Sequence, residues 1–192
     1  MSVSLLMVSY RRPSLLAKTL KTIGHVDEIA IIEDIRPHQP GEFLNPAPLW
    51  NHALSITSGD ILIIQNPECI HMNNVIGTLS MVPKGEAWFA SCESVNSDES
   101  FHMWYTHPEY RRRPYFFCGS INRSDMVKWD EDFIHEGYED VALGECLKAN
   151  GVNFNWLPPE DAYVKHQWHS KDISSSDTTV FFRKYGYLPP ND

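Results

Sequence analysis

Apolar and polar positions alternate between two patterns along the first third of the chain. Val3 to Ser9 is a continuous apolar run, as expected of a strand covered on both faces. Pro13 follows where the first turn of a helix tolerates proline. Leu15, Leu16, Thr19, Leu20 and Ile23 then recur at helical spacing, and Gly24 marks a stop. Asp27 to Glu33 predicts a second strand. Asp34 to Pro48 holds four prolines and predicts a loop. Leu49 to Ser58 predicts a helix closed by Gly59, and Asp60 to Gln65 a third buried strand. Strand, helix, strand, helix, strand predicts an α/β fold with a mostly parallel central sheet flanked by helices.

The remainder is less regular. A short helix is expected over Asn74 to Met81, with strands over Ala87 to Val95 and Tyr115 to Ile121. Tyr138 to Asn150 predicts a helix with Val141, Leu143, Cys146 and Leu147 inward and Gly151 at its end. Val152 to Trp156 returns as a strand. From Asp172 the chain is polar and then proline-rich, which predicts a tail lying on the surface. Residues 1–171 are therefore expected to form one domain, with 172–192 packed upon it.

Composition narrows the function classes. The chain has 192 residues, 42% of them hydrophobic, and a formal net charge of −9. That charge disfavours indiscriminate binding to nucleic acid or anionic membrane. A local basic patch, Arg111-Arg112-Arg113, keeps a nucleic-acid partner open. The apolar N-terminal run is short, lacks preceding basic residues and reads as a strand rather than a signal peptide. No apolar stretch reaches the ~20 residues needed to span a bilayer, so a soluble, cytoplasmic protein is expected. Cys69, Cys92, Cys118 and Cys146 show no C-x-x-C spacing, which argues against a zinc knuckle or a disulfide framework.

The chemistry-bearing residues cluster at strand ends. In open α/β sheets, ligands sit beyond the carboxyl ends of the strands. The first strand ends in Ser9-Tyr10-Arg11-Arg12-Pro13, the second in Glu33-Asp34 and the third in Gln65-Asn66-Pro67-Glu68. Arginines and carboxylates together suit a nucleoside diphosphate held partly through a divalent cation. Further on, an adjacent acid pair, Glu139-Asp140, follows Gly137 at the start of a helix. The plain alternative there is a helix with an acidic first turn.

In order and spacing, these pieces resemble a small GT-A fold glycosyltransferase of the family 2 type, with a galactosyltransferase-type C-terminal part. The likeness covers roughly residues 3–170. Val8-Ser9-Tyr10-Arg11-Arg12-Pro13 resembles the opening strand-to-helix turn, and Ile31-Ile32-Glu33-Asp34 the acidic strand end that contacts the nucleoside. Asn51-His52-Ala53-Leu54 resembles the helix before the third strand. Asn66-Pro67-Glu68 falls where the family carries its Asp-x-Asp metal and diphosphate motif. Phe117-Cys118-Gly119-Ser120 resembles the strand lining the sugar pocket. Trp129-Asp130-Glu131-Asp132-Phe133, then Gly137-Tyr138-Glu139-Asp140, resembles the acceptor-site signature.

The resemblance implies an inverting hexosyltransferase using Mn²⁺ or Mg²⁺, a nucleotide-diphosphate sugar (UDP favoured) and a hydroxyl acceptor. It places the general base on Asp140. Sugar or acceptor contacts fall on Glu139, Trp129, Cys118, Gly119 and Gly137. Nucleotide contacts fall on Ser9, Tyr10, Arg11, Arg12, Glu33, Asp34, Asn51 and Asn66. Glu68 becomes a metal ligand. Asn66 replaces an acid, so the site loses one charge, and His166 or His169 is expected to compensate. A strand would put those histidines on opposite faces, whereas a turn would bring them together.

A surface glycan or lipid-linked sugar is the default acceptor, with a modified DNA base less favoured by the charge. Two rival enzymes fit less well. A nucleotidyltransferase would want a glycine-rich turn where Ser9 to Pro13 stand, and a metallohydrolase would want more ligands grouped with His166 and His169. The Asn66 substitution keeps open a non-catalytic sugar- or nucleotide-binding protein with a degenerate site.

Overall fold

The computed structural model describes residues 1–34, 46–133, 138–170 and 178–186. Two sheets share the core. The larger is built from β1 (Val3–Tyr10), β2 (Glu28–Asp34), β3 (Ile61–Gln65), β5 (Glu86–Phe89), β8 (Cys118–Asn122) and β9 (Asn153–Trp156), in the order β2-β1-β3-β8-β5-β9. The smaller has β4 (Cys69–His71), β6 (Ser91–Val95), β7 (Phe101–Thr106) and β10 (Tyr163–His166), in the order β4-β10-β6-β7. The helices are α1 (Pro13–Leu20), α2 (Ala47–Ile56), α3 (Val75–Leu79), α4 (Glu139–Ala149) and α5 (Thr178–Tyr185).

The predicted parallel start is present: β1 pairs in parallel with both β2 and β3. The continuous apolar runs of β1 and β3 are explained by burial on both faces. Leu5, Met7, Ile61 and Ile63 enter one core cluster, and Leu6, Leu62 and Ile64 the other. The carboxyl ends of β1, β2 and β3 consequently lie along one edge, with Ser9 opposite Glu33 and Tyr10 opposite Asp34.

Several expectations need correction. Only residues 35–45 of the expected loop lie outside the described residues; Asp34 closes β2, and α2 already starts at Ala47. Its prolines fit because Pro46 is the N-cap and Pro48 lies in the first turn, where no N–H is needed. α1 ends at Leu20, before Gly24. Ala87 to Val95 is two strands, not one: the chain breaks at Ala90 and passes from one sheet to the other. β8 begins at Cys118 rather than Tyr115 and runs antiparallel to β3 and β5, so the central sheet is mixed on that side. Cys146 is half-buried, while Val141, Leu143 and Leu147 are buried as expected.

The lower edge of the sheet is fastened by Glu28. Its carboxylate accepts from the Ser4 hydroxyl (2.5 Å), the Ser58 hydroxyl (2.6 Å) and the N–H groups of Ser58 (2.7 Å) and Gly59 (3.2 Å). The Ser4 hydroxyl, followed by Ser58, holds this carboxyl down from 4.5 to about 2. A depressed carboxyl stabilises the fold above its ordinary value, and that contribution disappears as pH falls through the folded value. Glu28→Gln should therefore melt below the parent at pH 7. The gap should close as pH is lowered from 4.5 towards 2, read by melting temperature against pH.

Candidate active site

β3 ends in a tight turn that aims Glu68. The Asn66 N–H donates to the Phe117 carbonyl (2.9 Å), and the Cys69 N–H donates back to the Asn66 carbonyl (3.1 Å). Gln65 locks the turn from inside. Its Nε2 donates to the Cys69 carbonyl (2.9 Å), and its Oε1 lies 2.7 Å from His71 Nε2. Burial lowers His71 to about 4, so the imidazole is neutral and donates to Gln65.

Opposite this turn, β10 ends at His166 and the chain leaves the strand. Departure from strand geometry resolves the two faces: His169 turns back until its ring centroid is 5.2 Å from that of His166. One ligand atom each from Glu68, His166 and His169 lie within 4.8 Å of one another. Glu68 and His166 are buried, and His169 is half-buried. Burial first, then His169 and Arg12, lower His166 to about 3. It is therefore a neutral imidazole at any ordinary pH, the form that offers a lone pair. One carboxylate oxygen with two imidazole nitrogens suits a borderline cation such as Mn²⁺ better than the all-oxygen preference of Mg²⁺.

Arg12 completes the group. Its Nη1 donates to Glu68 Oε1 at 2.9 Å, compensating a carboxylate that is almost wholly out of solvent. It reaches this position because Arg11 takes a left-handed backbone conformation (φ 48°) directly after β1.

Sequence reasoning missed Gln167. Its backbone N–H donates to the Glu68 carbonyl (3.0 Å). Its Nε2 contacts that carbonyl (3.2 Å), the Leu15 carbonyl (3.1 Å) and the Thr19 hydroxyl (3.2 Å). This residue ties α1, the Glu68 turn and the histidine segment together. No local pattern in the sequence marks it; its burial shows only in the fold.

Other expected site residues are placed differently. Trp129 is 2% exposed and its ring stacks on Trp50 of α2, with centroids 5.4 Å apart and planes at 15°. No face is left for a sugar, so Trp129 is a packing residue. Asn51 is its clamp. The Asn51 Oδ1 accepts from the Trp129 N–H (2.9 Å), and its Nδ2 donates to the Trp129 carbonyl (3.0 Å) and to Glu131 (2.8 Å). This engagement removes Asn51 from the nucleotide set.

Cys118 is fully buried, with Sγ 3.6 Å from Gln65 Oε1, and lines no open surface. Gly119 serves strand approach, since a Cβ there would lie 2.8 Å from the Trp88 carbonyl oxygen. Ser9 and Asp34 are buried, Tyr10 and Asn66 half-buried, and Arg11 and Glu33 exposed, all at the carboxyl edge of the sheet. Gly137 lies outside the described residues.

Glu139 and Asp140 open α4, with Glu139 buried and Asp140 half-buried. Before them Tyr138 takes a left-handed conformation (φ 70°), a costly choice for a bulky residue. Its ring is held against Phe181 of α5 (5.5 Å). α5 also grips the preceding stretch. Lys184 Nζ binds Asp130 (2.5 Å) and Asp132 (2.7 Å), and Phe181 packs with Phe133, Val141 and Ala142. A line of ring contacts joins this region to the histidines: Tyr115 packs on the Phe181 cluster and on Phe117 (5.7 Å), and Phe117 on His166 (5.5 Å).

No protein-family model matches the sequence, and no curated protein matches it significantly. Solved structures do match the fold. The S. aureus TarS structure with UDP-GlcNAc superposes at TM-score 0.65 and 9% identity, covering 89% of this chain and 60% of that one. GalNAc-T7 with UDP, GalNAc and Mn²⁺ gives 0.65 and 12%, covering 95% and 48%. The catalytic domain of Drosophila β1,4-galactosyltransferase 7 with xylobiose gives 0.61 and 15%, covering 88% and 71%. The chain spans 38% of one TarS structure and 60 to 62% of the shorter TarS 1–349 structures. It has the GT-A fold of glycosyltransferases, with a mainly parallel central sheet. Among the described residues, no helix is long and apolar enough to cross a membrane.

Proposed function

We propose that this chain is an inverting, metal-dependent glycosyltransferase that moves a hexose from a UDP-sugar to a hydroxyl acceptor in the cytoplasm. One observation carries the reading: Glu68, His166 and His169 converge within 4.8 Å beside the edge where β1, β2 and β3 end. In this fold that edge is where a nucleotide belongs. The fold-level neighbours that bind UDP, UDP-GlcNAc or Mn²⁺ support the same ligand class.

Glu68, His166 and His169 would hold the cation. Bound there, the cation supplies positive charge that stabilises the departing diphosphate. Arg12 adds charge at the same place, already fixed on Glu68, and the exposed Arg11 is within the same turn. Asp34 and Glu33 face the nucleoside, and Asn66 lies in the turn that leads from β3 to Glu68. Asp140, in the first turn of α4, accepts the proton of the acceptor hydroxyl as that oxygen attacks the anomeric carbon from the face opposite the leaving nucleotide. Glu139, buried beside it, orients acceptor hydroxyls.

The alternative of a nucleotide-sugar binder without catalysis draws on one feature, the Arg12–Glu68 pair, which ties up the single carboxylate of the cluster. Calorimetric titration of UDP with and without Mn²⁺ tests the reading. Metal-dependent binding followed by slow donor hydrolysis supports the enzyme; binding without turnover of any donor supports the alternative. Absence of nucleotide binding under both conditions contradicts both.

A further inference from the structure

Gln167 is 8% exposed and sits in the chain between the two histidines. Its backbone N–H carries the antiparallel pairing of β10 with β4 one step past His166, onto the Glu68 carbonyl (3.0 Å). Its side-chain amide adds ties that the strand pairing does not need. Nε2 lies 3.2 Å from the same Glu68 carbonyl, 3.1 Å from the Leu15 carbonyl and 3.2 Å from the Thr19 hydroxyl. Thr19 and Glu68 are buried, so their oxygens have little water to turn to.

These acceptors belong to different parts of the site. Glu68 is a member of the cluster, whereas Leu15 and Thr19 lie in α1. The first turn of α1 hangs from Arg12, whose carbonyl accepts from the N–H groups of Leu15 and Leu16 (3.1 Å each). Arg12 in turn holds Glu68 at 2.9 Å. A further tie, from the His71 N–H to the Thr22 hydroxyl (3.0 Å), fastens the end of α1 to β4. His169 lies beyond the end of β10 and has a local anchor, its Nδ1 standing 2.9 Å from the Ser170 carbonyl. A carbonyl only accepts, so Nδ1 carries the hydrogen and Nε2 keeps the lone pair that a cation needs. The tautomer is thus fixed locally, while the placing of this segment against Glu68 falls to Gln167.

We propose that Gln167 is the positioning residue of the metal site, its amide holding the histidine segment and the Glu68 turn at the separation a cation requires. The proposal rests on the metal-dependent reading above. A neutral amide suits the task, since it donates to the surrounding oxygens without adding charge. Lys or Arg would place a second cation beside the cluster, and an apolar side chain would leave those oxygens short of a donor. Ligands already in place bind more tightly because they need no ordering.

The test measures Mn²⁺ affinity without nucleotide, from the spin-resonance signal of the free ion. It adds the visible absorption of the Co²⁺-loaded protein, which reports ligand geometry. Gln167→Met keeps the length and the backbone bond to Glu68 but loses the donors. It should bind Mn²⁺ about 10- to 100-fold more weakly than the parent, the usual worth of a group that orients metal ligands, and its Co²⁺ spectrum should change. Thr19→Val removes one acceptor on α1 and should weaken Mn²⁺ by a smaller factor. Glu28→Gln is the control for general stability. It loosens the other edge of the sheet and contacts neither Gln167 nor the cluster, so its affinity and spectrum should match the parent despite its lower melting temperature.

Parent-like affinity and spectrum in Gln167→Met would overturn the proposal and leave the metal reading standing. Equal losses in Gln167→Met and Glu28→Gln would also overturn it, by making the effect one of stability alone. Should Gln167→Met fail to fold, Thr19→Val decides, and parent-like Mn²⁺ affinity there overturns the proposal. No Mn²⁺ binding by the parent would overturn the metal reading itself, and the proposal with it.

Discussion

Asp140→Asn should lower sugar transfer by about 10²- to 10⁴-fold, the usual worth of a positioned general base, while UDP binding survives. Asn keeps the shape of the side chain and its hydrogen-bonding reach but cannot take a proton. Because Asp140 sits in the first turn of α4, losing its charge also removes a favourable interaction with the helix N-terminus, worth about 0.3–1 kcal/mol. That cost is too small to unfold a domain of ordinary stability, so the activity loss can be read cleanly. Transfer rate and nucleotide affinity measured on one preparation decide the matter. Full transfer activity in the variant would remove Asp140 from the base role.

Phe181→Ala should cost about 3–5 kcal/mol, the usual range for truncating a buried phenylalanine. That is a large share of the ~5–15 kcal/mol that holds a domain together. Phe181 is fully buried among Phe133, Val141 and Ala142 and packs edge-on to Phe133 at 6.4 Å. Its removal also frees Tyr138, whose left-handed backbone it helps to hold. The effect should reach the start of α4 as well as global stability. Urea denaturation gives the first quantity, and the transfer rate of the still-folded fraction gives the second. A melting curve indistinguishable from the parent would mean that α5 does not clamp this region.

Much of the architecture was readable because burial leaves a plain mark. Strands covered on both faces, such as β1 and β3, must be apolar throughout, and the prolines and glycines punctuate what lies between. The smaller sheet left no such mark. β4 and β10 have three and four residues, too short for a period to emerge, and β10 mixes Tyr163, Val164, Lys165 and His166. The aromatic β7 follows Asn96-Ser97-Asp98-Glu99-Ser100, and only the fold shows that it pairs back on β6. The tail reads as polar because its deeply buried residue among those described, Phe181, stands next to the exposed Phe182 and gives no clear stripe.

At the site, spacing identified His166 and His169 as a pair but left their faces open. That question is settled only by where β10 stops. Trp129 and Asn51 show the converse. Both are residue types that bind ligands, and both are used up on one another and on Trp50, a tertiary contact no local pattern announces. The Arg12–Glu68 pair was equally hidden, since it spans 56 positions. Gln167 is visible only once α1, the Glu68 turn and the histidine segment are seen to meet on it.

The central claim is that Glu68, His166 and His169 make a metal-dependent nucleotide site. Its most direct measurement is the affinity for UDP by calorimetry, with Mn²⁺ and with chelator, in the parent and in Glu68→Ala. The account predicts tight binding by the parent only when Mn²⁺ is present, and loss of that metal dependence in the variant. UDP affinity that is the same with metal and with chelator in the parent would contradict it.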